Sequence, residues 1–225
     1  MDLSEAQLDS FESFEEALYA TNEHTNLTRV PRNECWLRHF VDSLAIAQWI
    51  PAGVAVLDIG TGPGFPAWPL ACARPDLKVV ALDSAGKMIR FLQSMKLPNL
   101  VAVQGRAEER LQIGKFEFVT GRAVAPLAIQ LELSAHYVTL GGLVMPMRST
   151  NEDDFDHPAA SQLGLAFRGV EQVALPDSDI VRAFPRYQKD RQTPDKYPRS
   201  WAEMKSRPLG ATTGLSQAPS RAQKR

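Results

Sequence analysis

Val54-Ala-Val-Leu-Asp-Ile59 runs directly into Gly60-Thr-Gly-Pro-Gly-Phe-Pro66, and this junction decides the fold. Six residues, nearly all apolar, have the length of a strand buried in a parallel sheet. Three glycines at alternate positions then form a turn, and a helical pattern starts just after it. Glycine is needed where the backbone takes positive φ or lets a ligand approach closely, and amides near a helix start favour a negative group. The spacing is D-x-G-x-G-x-G from Asp58 to Gly64, not the G-x-G-x-x-G of dinucleotide sites, which disfavours NAD. No G-x-x-x-x-G-K-S/T phosphate loop occurs, so ATP or GTP hydrolysis has no support.

Outward from this junction, strand, turn and helix repeat. Strands are expected at 78–82, 100–103 and 116–120, helices at 66–73, 86–96 and 125–138, and a fifth strand at 143–147 after Gly141-Gly142. The architecture read from this alternation is α/β, doubly wound. Two closing strands are expected at 167–174 and 179–184, after an acidic helix near 152–163. Upstream, Ser4 and Gln7 stand at capping-box spacing before an amphipathic helix over 4–19, and a second helix is expected over 34–49. The division is therefore 1–50, an N-terminal helical extension; 51–185, the α/β domain; and 186–225, a basic, Pro-rich tail.

Composition sets the class. With 225 residues, 44% hydrophobic, the chain can bury a full core, which excludes a disordered chain. Two cysteines and four scattered histidines support neither a disulfide scaffold nor a metal site, so no metal and a reducing compartment are expected. No stretch is apolar enough for a membrane span, and a cytoplasmic protein is expected. The net charge of −1 conceals a polarity: residues 1–23 hold seven acids and no base, whereas 182–225 hold eleven bases against three acids. Such a tail suits a polyanionic partner by counterion release, and a solubilising tail fits the same composition equally well.

Two further acids stand at strand ends. Asp83 closes the second strand, where a carboxylate can accept hydrogen bonds from both ribose hydroxyls. Glu108 follows the third within Gly105-Arg-Ala-Glu-Glu109, a turn placed to line an adenine. With Asp58 and Gly60, Gly62 and Gly64, the set resembles the class I S-adenosylmethionine-dependent methyltransferases. That resemblance implies a Rossmann-like, mostly parallel seven-stranded sheet.

The series Asn26-Leu-Thr-Arg-Val30, Arg38-His-Phe-Val-Asp-Ser-Leu44, Leu57 to Pro66, Leu82-Asp-Ser-Ala-Gly-Lys87, Arg90-Phe-Leu92, Gly105 to Glu109 and Gly121-Arg-Ala123 is narrower. Joined to Thr193-Pro-Asp-Lys-Tyr-Pro-Arg199, it is similar to the small-subunit ribosomal RNA guanine-N7 methyltransferases, the glucose-inhibited division protein B family. The resemblance spans about residues 22–210. It implies methyl transfer from S-adenosylmethionine to N7 of one guanine in the decoding-region loop of 16S rRNA, leaving S-adenosylhomocysteine. It also implies that Phe65, Ser84, Ala107 and Arg122 join the cofactor set. The partner implied is 16S rRNA or the small ribosomal subunit, met by a monomer. Arg148 stands where the family has lysine, and Gly121 where many members have serine.

N7 already presents a lone pair, so in-line placement is needed and no general base is required. Asn26, Arg38 and His39 are candidates for the target pocket, and a polar network joining the N-terminal helices to the sheet explains them as well. Arg148, Arg186, Lys189, Lys196, Tyr197 and Arg199 are the candidate RNA contacts, with Tyr187 and Trp201 interleaved among the bases. Two other classes remain: a methyltransferase for a small molecule, since fold does not fix substrate, and a cofactor-binding ribosome-assembly factor without turnover.

Overall fold

The computed structural model describes residues 2–150 and 155–210. Helix α1 (Glu5–Thr25) begins at the expected capping box: the Ser4 side chain accepts the Gln7 N–H at 3.3 Å. It is one and a half turns longer than 4–19 and ends where Asn26 takes a left-handed φ of 49°. Its buried face, Phe11, Phe14 and Leu18, packs into an aromatic cluster with Phe40, Phe65, Trp68 and Phe91. Edge-to-face pairs of this kind contribute about 0.5–1.5 kcal/mol each beyond the area they bury.

The second helix is broken. A 3₁₀ turn at Arg32–Glu34 leads into wide π-type turns over Trp36–Val41, then the short α2 (Asp42–Leu44) and a 3₁₀ turn at Ala47–Trp49. In the π segment the Asp42 N–H donates to the Leu37 and His39 carbonyls rather than to that of Arg38. Such bulges re-aim side chains and recur at functional sites. Here His39 lies in the bulge and Asp42 at its end, and both meet Arg122.

The sheet has the order β3-β2-β1-β4-β5-β8-β6, with β7 paired to β8. Strands β1 (Ala55–Ile59), β2 (Lys78–Asp83), β3 (Leu100–Gln104), β4 (Phe116–Thr120) and β5 (Val138–Val144) are parallel. Strand β8 (Val181–Lys189) runs antiparallel to β5, to the two-residue β6 (Arg148–Ser149) and to β7 (Leu165–Ala174). The doubly wound reading holds, with β6 added to the seven strands expected. Helices α3 (Ala67–Ala73) and α4 (Gly86–Ser94) join α1 over one face of the sheet. Helices α5 (Leu127–Ala135), α6 (Ala159–Gln162) and α7 (Trp201–Ser206) cover the other. Strand order reverses between β1 and β4, and α/β folds bind ligands in the crevice at such a point.

Three expectations need correction. The fifth strand lies five residues upstream of 143–147: Tyr137 is fully buried and Val138 already pairs with Phe116. The ladder then shifts register before Phe118, across Gly141-Gly142. The acidic helix is reduced to α6, and residues 151–154 of that expectation lie outside the described residues. The boundary at 185–186 cuts through β8, which runs unbroken from Val181 to Lys189 with Phe184, Tyr187 and Lys189 buried. The segment up to 210 therefore belongs to the domain, while tail residues 211–225 lie outside the described residues.

Candidate active site

The loop after β1 hooks over the end of β2. Gly60 and Thr61 donate to the Leu82 carbonyl, and the Gly62 N–H donates to Asp83 Oδ2 at 2.8 Å. Asp83 Oδ1 accepts from the Ala85 N–H at 2.8 Å, so the carboxylate orders both turns and keeps lone pairs for a ligand. Gly64 has φ +122°, and a Cβ there would lie 2.7 Å from Leu92 Cδ1. Only glycine suits that position. Asp58 is fully buried at the start of α3, with Oδ2 accepting the Ala67 N–H at 3.1 Å. Burial pushes its carboxyl up to about 7.

A cavity of about 380 Å³ opens beside this loop, at the carboxyl ends of β1, β2 and β3. Of the expected cofactor set, Gly60, Asp83, Ser84, Ala107 and Glu108 line it. Asp58, Gly62, Gly64 and Phe65 shape its loop without lining it. Glu108 pairs with Arg106 at 2.6 Å, and the Ala107 carbonyl accepts from the buried Tyr137 hydroxyl at 2.9 Å. Leu82, Val124 and Leu133, with Trp201 from α7, supply apolar wall, and Arg106 lines the cavity beside them. Two carboxylates among apolar side chains have the chemistry a nucleoside needs: Asp83 could accept from ribose hydroxyls and Glu108 from an exocyclic amine.

Arg122 is elsewhere. It lines a second cavity, of about 620 Å³, with Arg38, His39, Asp42, Arg148 and Arg182. Arg122 Nη1 donates to Asp42 Oδ2 at 2.7 Å and to the Arg38 carbonyl at 2.8 Å. Arg182 reaches the same carboxylate from β8, Nε to Oδ1 at 2.7 Å and Nη2 to Oδ2 at 3.1 Å. The Asp42 side chain is 1% exposed, so two guanidinium groups satisfy one buried charge. Arg122, expected in the cofactor set, does not line the first cavity, and its guanidinium is engaged by Asp42.

His39 is held by the same group. Arg122 Nη2 lies 3.2 Å from His39 Nδ1, and a guanidinium can only donate, so Nδ1 accepts. His39 Nε2–H then donates to Thr28 Oγ1 at 2.8 Å. Burial, together with Arg122, pushes the imidazole down to about 3, so it is neutral and both ring nitrogens are engaged. Its ring stacks on Phe65, centroids 4.1 Å apart and 4° between planes, with the Arg122 guanidinium 5.5 Å from the Phe65 ring. Thus the cofactor-loop residue Phe65 lines neither cavity and packs its ring on His39 of the second. Asn26 lines neither cavity, and its carbonyl accepts from Lys87 Nζ at 2.9 Å.

The two cavities meet at the loop after β4, where Ala123 lines both. Ala123 has φ 54°, a strained conformation for a residue with a side chain. Neither Asp42 with Arg182, nor Ala123, nor Trp201 in the first cavity was anticipated. The only local signal was Arg38 and Asp42 one helical turn apart. Arg182 joins Asp42 across 140 residues, which no spacing encodes.

Half of the expected RNA set is engaged inside the fold. Lys189 is 3% exposed, its Nζ donating to the Ala135 and Leu163 carbonyls at 2.9 Å, and burial lowers its pKa to about 8. Tyr187 and Tyr197 are buried. Arg199 forms a fork on Glu132, whose side chain is 1% exposed. Lys189, Tyr197 and Arg199 are structural because the last segment packs into the second core. Arg186 pairs with Glu171, Lys196 is exposed over Tyr197, and Arg148 donates to the Ala125 carbonyl in the second cavity. Among the described residues no group of three potential metal ligands occurs, and no helix is long and apolar enough to cross a membrane.

The model of the rRNA small subunit methyltransferase G family, GidB, matches residues 7–178. This chain belongs to that family. A Ribosomal RNA small subunit methyltransferase G of Lachnoclostridium phytofermentans is 37% identical over 93% of this chain and 92% of its own. The protein of that name from Streptococcus sanguinis is 35% identical over 93% of this chain and 94% of its own. Among solved structures, a TehB-like SAM-dependent methyltransferase of Corynebacterium glutamicum has a TM-score of 0.56 at 16% identity, covering 80% of this chain and 100% of that one. M. jannaschii TYW2 in complex with AdoMet has a TM-score of 0.53 at 14% identity, covering 66% of this chain and 74% of its own. Both likenesses bear on the fold, which is that of the SAM-dependent methyltransferases.

Proposed function

We propose that this member of the methyltransferase G family transfers a methyl group from S-adenosylmethionine to N7 of a guanine in 16S rRNA, acting as a monomer in the cytoplasm. The observation that carries the reading is the shared wall at Ala123 between a nucleoside-shaped cavity and an arginine-rich one. The bound cofactor supplies an electrophilic methyl on a sulfonium. Asp83 would hold the ribose, Glu108 and Ala107 would face the adenine, and the loop at Gly60 would lie against the rest of the cofactor. Around the second cavity, Arg38, Arg122, Arg148 and Arg182 bring positive charge to RNA phosphates.

The choice of N7 is supported by what the second cavity does not offer. His39 has its lone pair engaged by Arg122, and Asp42 is capped by two arginines, so neither accepts a proton from an exocyclic amine. N7 needs only alignment. A neutral His39 also adds no charge beside a purine that becomes cationic during transfer. Incubation with tritiated S-adenosylmethionine and small ribosomal subunits from a strain lacking 7-methylguanosine tests this. Label in the 16S rRNA is expected; unlabelled RNA with a protein that binds the cofactor refutes it.

A further inference from the structure

Trp201 belongs to the segment whose aromatic and basic residues suit RNA, yet it lines the first cavity. Its position is fixed from several sides. The capping box of Ser200 and Glu203 starts α7 at this residue. Immediately before it, Arg199 forks onto buried Glu132 of α5, and its backbone N–H donates to the same carboxylate at 2.8 Å. Met204 is fully buried in the core beneath. Arg110, at the end of the turn that carries Ala107 and Glu108, donates to the Asp195 carbonyl and, at 2.6 Å, to that of Tyr197. The C-terminal segment and the turn expected to meet adenine are therefore tied together.

The indole lines the cavity together with Ala107 and Leu133. Arg106, which lines the same cavity, has its guanidinium carbon 5.7 Å from the ring centroid. Arg106 is in turn paired with Glu108 at 2.6 Å. A half-buried indole beside a guanidinium, in the wall of a cavity that also carries Leu82, Val124 and Leu133, is a stacking surface for a purine. We propose that Trp201 stacks on the adenine ring of the cofactor, so that the C-terminal helix completes the cofactor site. This rests on the assignment of the first cavity to S-adenosylmethionine.

The test is calorimetric titration of the full chain with S-adenosylhomocysteine. Trp201→Leu keeps an apolar wall without the π face, and its affinity is expected to fall about tenfold, within the range for loss of one base–aromatic stack. Trp201→Phe keeps a ring and is expected to stay within about threefold of wild type. Adenosine alone should show the same ranking, because the indole stacks on the purine that both ligands share. Thermal unfolding of each variant confirms that α7 remains docked, and Trp201→Phe separates stacking from folding if the leucine variant unfolds. Equal affinity of the leucine and wild-type proteins overturns the proposal while leaving the cofactor assignment intact. A wild-type protein that binds neither S-adenosylhomocysteine nor S-adenosylmethionine overturns that assignment instead.

Discussion

Replacing Asp42 by asparagine separates two accounts of the arginine-rich cavity. Asp42 accepts three hydrogen bonds from two guanidinium groups, at 2.7, 2.7 and 3.1 Å, and its side chain is 1% exposed. Removing one partner of a fully buried pair costs about 3–5 kcal/mol. Arg122 and Arg182 retain some solvent, at 18% and 26% side-chain exposure, and asparagine keeps one acceptor oxygen. A loss of about 2–3 kcal/mol in unfolding free energy is therefore expected, below the range for a fully buried pair. The effect on RNA is the informative one. Summed charge alone says that deleting a carboxylate tightens binding to phosphates. If Asp42 instead aims the two arginines, the KM for small ribosomal subunits rises at least about tenfold, equivalent to one charge-assisted hydrogen bond. Affinity for S-adenosylhomocysteine should be unchanged, because Asp42 does not line the first cavity. The assay is methyl transfer against subunit concentration at fixed salt, with calorimetry for the cofactor. An unchanged or lower KM would falsify the positioning role.

Asp83→Ala removes the carboxylate that faces the first cavity and holds the Gly62 and Ala85 amides. Cofactor affinity measured by calorimetry is expected to fall about 10- to 100-fold, the cost of one or two hydrogen bonds to a charged group; equal affinity excludes the ribose contact. Gly121→Ser installs the residue common in the family, but here a Cβ would lie 2.6 Å from the Ile59 carbonyl oxygen. The variant should lose about 1–3 kcal/mol in denaturant unfolding, as overpacked sites do, and a stability equal to wild type would show that the loop relaxes freely. His39→Asn tests the neutral imidazole by pH. A native pKa of about 3 against 6.5 in the unfolded chain means that the stability from neutral His39 is complete above pH 6.5 and declines as pH falls. Between pH 7 and 5 the stability advantage of wild type over the variant should shrink by about 2 kcal/mol. Comparison with the variant cancels Asp58, whose raised pKa acts in the opposite direction; a constant difference contradicts a buried, neutral His39.

The first cavity was readable from sequence because its parts are local. Gly60, Asp83 and Glu108 each end or follow a strand, and parallel strands bring their carboxyl ends together, so position along the chain converts into position in space. The second cavity has no such code. Its centre is an ion pair between α2, the loop after β4, and β8, made by a π bulge that helical periodicity does not announce. The C-terminal segment misled for a related reason. Lys189, Tyr197 and Arg199 look like an RNA-binding surface by composition, but carbonyls of α5 and of Leu163 just after α6, with the carboxylate of Glu132, satisfy the two cations inside the fold, and Tyr197 is buried beside them. A basic residue reads as exposed until its buried partner is known. The strand at Val138–Val144 escaped the sequence pattern because its glycines mark a register shift rather than a turn.

The most direct measurement is nucleoside mass spectrometry of 16S rRNA after incubation of unmethylated small subunits with this protein and labelled S-adenosylmethionine. The two-cavity account predicts label in 7-methylguanosine at one position, lost on salt titration as phosphate contacts are screened. Label on an exocyclic amine, or none in subunits or naked 16S rRNA from a protein that binds the cofactor, would contradict it.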